Sequence, residues 1–327
     1  MPSVPKINQL PHELLALIFA TGLRDLSSDA QRPILALICS ICHHWRDVAV
    51  GASELWTTIH ISSERHLPAA QAFLERSKDR LIDVVVDGVY APEQIYSSAI
   101  AMITAVQTAP HIFRVRTLTM TLYDLNIYNV FSNVYRSISA TNLASLSIRL
   151  ANDFWPFLGY PSLFENTKSL CHFDTQGNFL TVVPSRADLT TLELSNYSPT
   201  HVDIQKLFNA SSCLEPLARP NEDDGAPITI TAPTTLKSLA VSVCYTHSNG
   251  TSMCGCVLDK LCIPKLEYLE ELAKLQTLRL QRCRITSADQ FFLSLKELRR
   301  LELVDMSPEL VALSITRDSI PSRRVEQ

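Results

Sequence analysis

The sequence predicts an α+β protein, with a small helical module at the N-terminus followed by an irregular α/β solenoid. Three observations carry this reading. Residues 7–61 hold apolar side chains at helical spacing, broken by short polar stretches. From Trp56 onward, a six-residue pattern (apolar, two variable, apolar, variable, apolar) recurs nine times. Between several copies the apolar spacing returns to that of a helix face, so strands and helices alternate. The expected domains are therefore a helical module over 1–61 and a solenoid over 62–327.

The N-terminal stretch opens Leu10-Pro11-His12-Glu13-Leu14-Leu15 and continues to Ile18-Phe19. Pro11 suits the first helical position, where its missing N–H costs nothing, and Glu13 faces the positive end of the helix dipole. Leu14, Leu17 and Ile18 form one apolar face; Leu15 and Phe19 add a second. After a polar break over 24–32, Ile34, Ile38, Ile41 and Trp45 repeat at helical spacing, and Leu35 and Cys42 widen that stripe. A module of about fifty residues with apolar side chains on several faces cannot bury them all alone. A neighbouring domain or a partner is expected to cover the rest.

At these residues the chain resembles an F-box. Leu10-Pro11-x-Glu13-Leu14-Leu15-x-x-Ile18-Phe19, then Cys42-x-x-Trp45-Arg46-Asp47, then Leu55-Trp56 follow the order that family uses. Two departures stand out: Ser53 where a proline usually precedes the Leu-Trp pair, and a longer linker over 21–33. The resemblance implies docking on a Skp-type adaptor and, through it, a cullin-RING ubiquitin ligase. By the same resemblance Leu10, Pro11, Leu14, Ile18, Leu35, Ile38 and Trp45 would be docking or supporting positions. The bland alternative is that these residues fill a helical cap on the next domain.

The repeated signature starts at Trp56, Leu81, Val115, Leu143, Leu170, Leu189, Leu236, Leu275 and Leu298, at intervals of 19 to 47 residues. Several intervals fall near the roughly 20–29 residues of a leucine-rich repeat, whose strand half has this pattern. Helical patterns lie between strands, at about 67–76, 92–107 (Ile95, Ala99, Met102, Ile103 and Val106 expected inward), 125–138, 202–208 and 287–295. A single strand-plus-helix unit leaves a face uncovered until its neighbour packs against it, so such units are expected to stack. An ordinary α/β sheet is the competing arrangement. Its nucleotide-binding version is disfavoured, because the chain has eight glycines and none of the glycine-rich phosphate loops. The stretch 213–235 carries four prolines and the acidic run Glu222-Asp223-Asp224, and is expected to be an exposed, mobile insertion. Only 306–327 follow the last signature, with Pro308 and Pro321 limiting helix and no evident polar capping repeat.

Bulk composition narrows the function classes. With 46% hydrophobic and 19% charged residues the chain can bury a sizeable core. A formal net charge of −4 and the lack of long Lys/Arg runs give no field for nucleic acid. No apolar run approaches the roughly twenty residues of a membrane-spanning helix. Met1–Gln9 does not read as a secretory signal, so a cytoplasmic and/or nuclear location is expected. Nine cysteines at irregular spacing read as small buried hydrophobes in a reducing compartment.

Motifs that carry chemistry are incomplete. Cys39-Ser40-Ile41-Cys42-His43 has the spelling of a c-type haem attachment site, which would require an exported setting. Cys244, Cys254, Cys256 and Cys262 could supply four thiolates, but only one pair is close and it is one residue apart, unlike structural zinc sites. His12-Glu13 begins a metalloprotease helix, yet Ala16 stands where the second histidine belongs. No nucleophile elbow is present. No catalytic residue, metal ligand or cofactor is expected.

Strand alternation points instead to a binding face. Residues flanking the second and third apolar positions of each signature project away from the core. They run from Thr117, Thr119 and Thr121 through Ser145, Ser147 and Arg149 to Thr191, Glu193 and Ser195, then Ser238, Ala240, Ser242, Thr277, Arg279, Gln281, Arg300, Glu302 and Val304. The row changes from hydroxyl-rich to charged toward the C-terminus. Arg149, Glu193, Arg279, Gln281, Arg300 and Glu302 are the candidate substrate contacts, with Arg279 and Arg300 suited to an acidic or phosphorylated segment. The whole chain is similar to F-box proteins of the kind abundant in fungi, with a leucine-rich-repeat-like C-terminal region. That resemblance implies a non-catalytic substrate receptor of a Skp–cullin–F-box ubiquitin ligase, holding an unidentified protein target through its solenoid. The alternatives are an interaction scaffold independent of ubiquitin transfer, or a zinc-binding protein using the C-terminal cysteines.

Overall fold

The computed structural model of the chain describes residues 6–87, 94–122, 125–150, 163–176, 189–195, 236–242, 275–281, 295, 297–304 and 322–326. The insertion at 213–235, the cysteines Cys244, Cys254, Cys256 and Cys262, and the helical patterns at 202–208 and 287–294 lie outside these residues. The chain divides into two compact units, Met1–Leu143 and Ala144–Gln327.

The first unit starts with three helices: α1 (His12–Arg24), α2 (Ser28–Ile41) and α3 (His43–Gly51). The apolar stripe that reads as continuous from Ile34 to Trp45 is in fact broken at Cys42, whose extended backbone separates α2 from α3. Cys42 then caps α3, its Sγ accepting the Trp45 N–H at 3.5 Å. This is the role serine usually plays, satisfying one of the helix's unpaired first-turn donors. α1 buries Leu15, Ala16, Phe19 and Leu23, a row at i, i+1, i+4 and i+8. α2 buries Leu35 and Ile38, and α3 buries Val48 and Ala49.

A short turn carrying Leu55 and Trp56, both buried, leads into strand β1 (Thr58–Ile61). Trp56 joins the helices to the strand-and-helix region beyond it. Its Nε1–H donates to the Ala49 carbonyl at 2.7 Å, its ring meets Phe73 edge-on at 4.9 Å, and the Arg76 guanidinium lies 4.4 Å over it. Phe73 and Arg76 belong to α4 (Leu67–Arg76), which is succeeded by β2 (Ile82–Asp87), α5 (Gln94–Thr108), β3 (Val115–Leu122) and α6 (Leu125–Tyr135).

β1, β2 and β3 pair in parallel and in sequence order. Ile59, Ile61, Val84, Val86, Leu118 and Met120 fill one side, as the repeated signature predicts. Leu81 is an exception. It is exposed, and Ile82 is fully buried in its place. Ile82 pairs with Val115 and Asp83 with Thr117, so Arg116 is an extra residue on β3, a bulge that moves the register by one. Helix α5 also departs from expectation. Met102, Ile103 and Val106 face outward, while Ile100, Ala101, Thr104, Ala105 and Thr108 are buried. The small inner residues leave room for the large buried side chains of α6, against which α5 packs, and the Thr108 hydroxyl hydrogen-bonds the Tyr135 phenol.

In the second unit, β4 (Ser145–Leu150), β5 (His172–Gln176), β6 (Thr191–Ser195), β7 (Ser238–Ser242), β8 (Thr277–Gln281), β9 (Arg300–Val304) and β10 (Ser322–Glu326) form one parallel series in sequence order. The signature leucines and their equivalents stack: Leu146, Phe173, Leu192, Leu239, Leu278 and Leu301 share one register row and all are buried. Strands β7, β8 and β9 are entered the same way. The N–H groups of Ser238, Thr277 and Arg300 donate at 3.0 Å to Thr190, Lys237 and Gln276 on the preceding repeat. The repeated signature does not announce β10. This strand pairs along its whole length with β9, although Val325 is its only apolar residue. A helical N-terminus leading into parallel strands in sequential order is consistent with a leucine-rich-repeat-like α/β solenoid.

Candidate functional site

Two surfaces hold the residues that the sequence singles out. On α1, Leu15, Phe19 and Leu23 turn inward, which leaves Leu14, Leu17 and Ile18 facing out, each about half exposed (49%, 56% and 49%). α2 behaves likewise: Leu35 and Ile38 are buried, while Ile34, Leu37 and Ile41 are exposed. The seven candidate docking residues thus divide. Leu14 and Ile18 are exposed on α1, Pro11 is exposed at its start, and Leu10 is partly covered. Leu35 and Ile38 are core. Trp45 is partly buried with its ring 5.0 Å from Phe19, so it braces α3 against α1. Leu17, Leu37 and Ile41 are exposed apolar positions that the family pattern does not single out. Leu17 and Ile41 belong to the apolar stripes of the sequence, and the choice of inward face shows that they are exposed; Leu37 is in neither stripe.

Six exposed aliphatic side chains on two neighbouring helices are unusual for a surface. Scattered apolar residues are ordinary on any protein, but concentrated ones mark an interface. Arg46 ties α3 to the end of α2, its Nε–H donating to the Cys39 carbonyl at 2.8 Å. Burial pushes the Cys39 thiol above its usual range. Cys39 is thus a packed, protonated side chain and Cys42 a helix cap, which gives the Cys-x-x-Cys spacing a structural use. Among the described residues no group of three or more His, Cys, Asp or Glu side chains is placed to hold a metal ion. Nor is any described helix long and apolar enough to cross a membrane.

The second candidate region is the strand face opposite the buried leucines, described separately in each unit. In the first unit, Asp83 on β2 accepts from both Arg116 (Nε 3.0 Å, a terminal nitrogen 2.5 Å) and the Thr117 hydroxyl at 2.8 Å. In the second unit, one register row runs Ser147, Asp174, Glu193, Ala240, Arg279 and Glu302 across β4 to β9. Asp174 is largely buried and accepts from Ser147 Oγ at 2.8 Å and from Arg149 at 3.1 Å. Glu302 receives two arginines, Arg279 at 3.7 Å and Arg300 through a hydrogen bond. Glu193 is partly exposed and makes no hydrogen bond or ion pair among the described residues. Gln281 lies on β8 in register with Ser242 and Val304. The candidate arginines are therefore held by neighbouring carboxylates, and Asp174, which the sequence does not suggest, is the centre of one such pairing. Only the strand register exposes it, because its signature (Leu170-x-x-Phe173) is the weakest.

No protein-family model matches the chain, and no curated protein matches it.

Proposed function

We propose that the chain is the substrate-recognition subunit of a Skp–cullin–F-box ubiquitin ligase, with α1 and α2 docking on a Skp-type adaptor and the parallel sheet holding a protein target. The observation that carries this reading is the outward row of aliphatic side chains on α1 and α2, in a module whose spelling resembles an F-box. Buried aliphatic anchors on a helix face are a common basis of protein docking. The mechanism is positioning: a target held near a ubiquitin-loaded enzyme reacts at high effective concentration, with no reacting group supplied by this chain.

The test is co-purification with a Skp-type adaptor, comparing wild type with Leu17→Glu/Leu37→Glu. Both side chains are more than half exposed, so the variant is expected to fold. A charge placed in a desolvated interface costs several kcal/mol, and capture of the adaptor is expected to vanish. Failure of well-folded wild type to bind any adaptor would sink the ligase reading and leave an interaction scaffold.

A further inference from the structure

The register row on the sheet of the second unit has an uneven charge distribution. Asp174 is balanced by Arg149. Glu193, one strand on, sits between the buried Leu192 and Leu194 and so points to the open face, without a partner among the described residues. Ala240 comes next on β7 and is too small to rise above the backbone. Beyond it, Arg279 and Arg300 share the single carboxylate of Glu302, which leaves one positive charge in excess. Among the described residues the face thus offers an unpaired carboxylate and a net positive site, with the small side chain of Ala240 between them.

We propose that this row binds an extended, polyproline-II-like segment of a partner protein, with a basic residue over Glu193 and an anionic residue, three positions away, over Arg279. Glu193 and Arg279 are two strands apart, and neighbouring strands are spaced about 4.8 Å, so the two sites are separated by roughly 9.6 Å. A polyproline II segment rises about 3.1 Å per residue and repeats its face every third residue, placing same-side side chains about 9.3 Å apart. A β-strand ligand places its same-side neighbours about 6.7 Å apart and does not match. Ala240 leaves room for the two intervening residues. Each arginine gives Glu302 only part of its five-donor fork, so donors remain for a carboxylate or a phosphoryl group. The proposal rests on the receptor reading only in making this segment part of a ligase target.

The test uses the full chain and fluorescently labelled peptides with a central Lys-Pro-Pro-Asp, measured by polarisation at low salt. Controls carry Lys-Pro-Pro-Lys, Asp-Pro-Pro-Asp, or adjacent Lys-Asp. Each exposed ion pair is worth only a few-fold in affinity, so the mixed-charge peptide is expected to bind about fivefold tighter than any control. Glu193→Lys is expected to move the preference to Asp-Pro-Pro-Asp. A Lys-Pro-Pro-phosphoserine arm separates the two anion sources: tighter binding assigns the positive site to phosphoryl, equal or weaker binding to carboxylate. Equal binding of all peptides, no binding, or a preference unmoved by Glu193→Lys overturns the proposal. Adaptor capture is measured on the same preparation. Capture without charge selection refutes this proposal alone, and charge selection without capture refutes the ligase reading alone.

Discussion

Leu15 and Leu17 are two residues apart on one helix, have the same side chain, and are expected to behave oppositely. Leu15 is fully buried, whereas Leu17 is 56% exposed. Leu15→Ala removes buried carbon worth about 0.8 kcal/mol per methylene and leaves a cavity, for a total loss of about 3–4 kcal/mol. Leu17→Ala removes a half-solvated side chain and installs a better helix former, so its effect is expected to stay within about 0.5 kcal/mol. Urea unfolding monitored by the fluorescence of Trp45 and Trp56, both in the first unit, reads this directly in a Trp155→Phe background. For a slope near 2 kcal/mol/M the Leu15→Ala midpoint falls by about 1.5–2 M, and the Leu17→Ala midpoint barely moves. Adaptor capture is expected to rank the pair in reverse, in the absence of denaturant and at a temperature where both are folded. Equal midpoint shifts would show that α1 does not present the face described, and the docking argument built on it would fall.

Two further outcomes are expected from buried and half-buried polar groups. Arg114 is 3% exposed and donates to the Leu74 and Arg80 carbonyls and to Ser77 Oγ, capping the end of α4, while burial lowers its guanidinium pKa. Arg114→Met keeps the apolar stem but leaves the Leu74 carbonyl with the Ser77 hydroxyl as its remaining side-chain donor, and is expected to destabilise the first unit by about 1–3 kcal/mol, read by the same unfolding assay. His60, His66 and His111 all have pKa values lowered chiefly by burial, with Arg32 adding repulsion at His60 and His66, Arg114 doing so at His111, and Asp87 and Asp29 opposing at His60. Their neutral forms are favoured in the fold, so their contribution is complete above the unfolded value near 6.5 and is lost as pH falls below it, through the lower folded values. The melting temperature is expected to drop between pH 7.5 and 5.5, and the triple substitution by Gln to flatten that slope; an unchanged slope would refute the assignment.

The strand positions were legible because alternation is a period-2 signal, and nine signatures anticipated β1 to β9 within a few residues. The inward face of α1 was not legible. Leu14, Leu15, Leu17 and Ile18 are equally apolar, so hydropathy cannot say which row meets α3; packing decides. The same ambiguity hid α5, where size rather than polarity selects the buried row, and Ala101 and Ala105 win over Met102 and Val106. The exchange of Leu81 for Ile82 has a related cause. Two adjacent apolar residues make a bulge and a regular strand read alike. β10 shows the opposite failure, since its backbone pairs with β9 with hardly any apolar pattern to announce it.

The candidate sheet face was legible residue by residue but not as a site, because a site is a relation between strands. Glu193 and Ala240 are neighbours in space across the longest interval between signatures, and Asp174 and Glu193 across the shortest. Parallel register makes these intervals irrelevant to the order of charges along the row. Connecting segments can therefore lengthen or shorten without moving Glu193 relative to Arg279, as long as each leucine keeps its place in the buried stack. A single-residue slip in one strand would exchange its leucines for its polar residues and erase its contribution to the face. The buried stack of Leu192, Leu239, Leu278 and Leu301 is thus what fixes the spacing of the charges above it, so the candidate face takes its geometry from the core that sets its register.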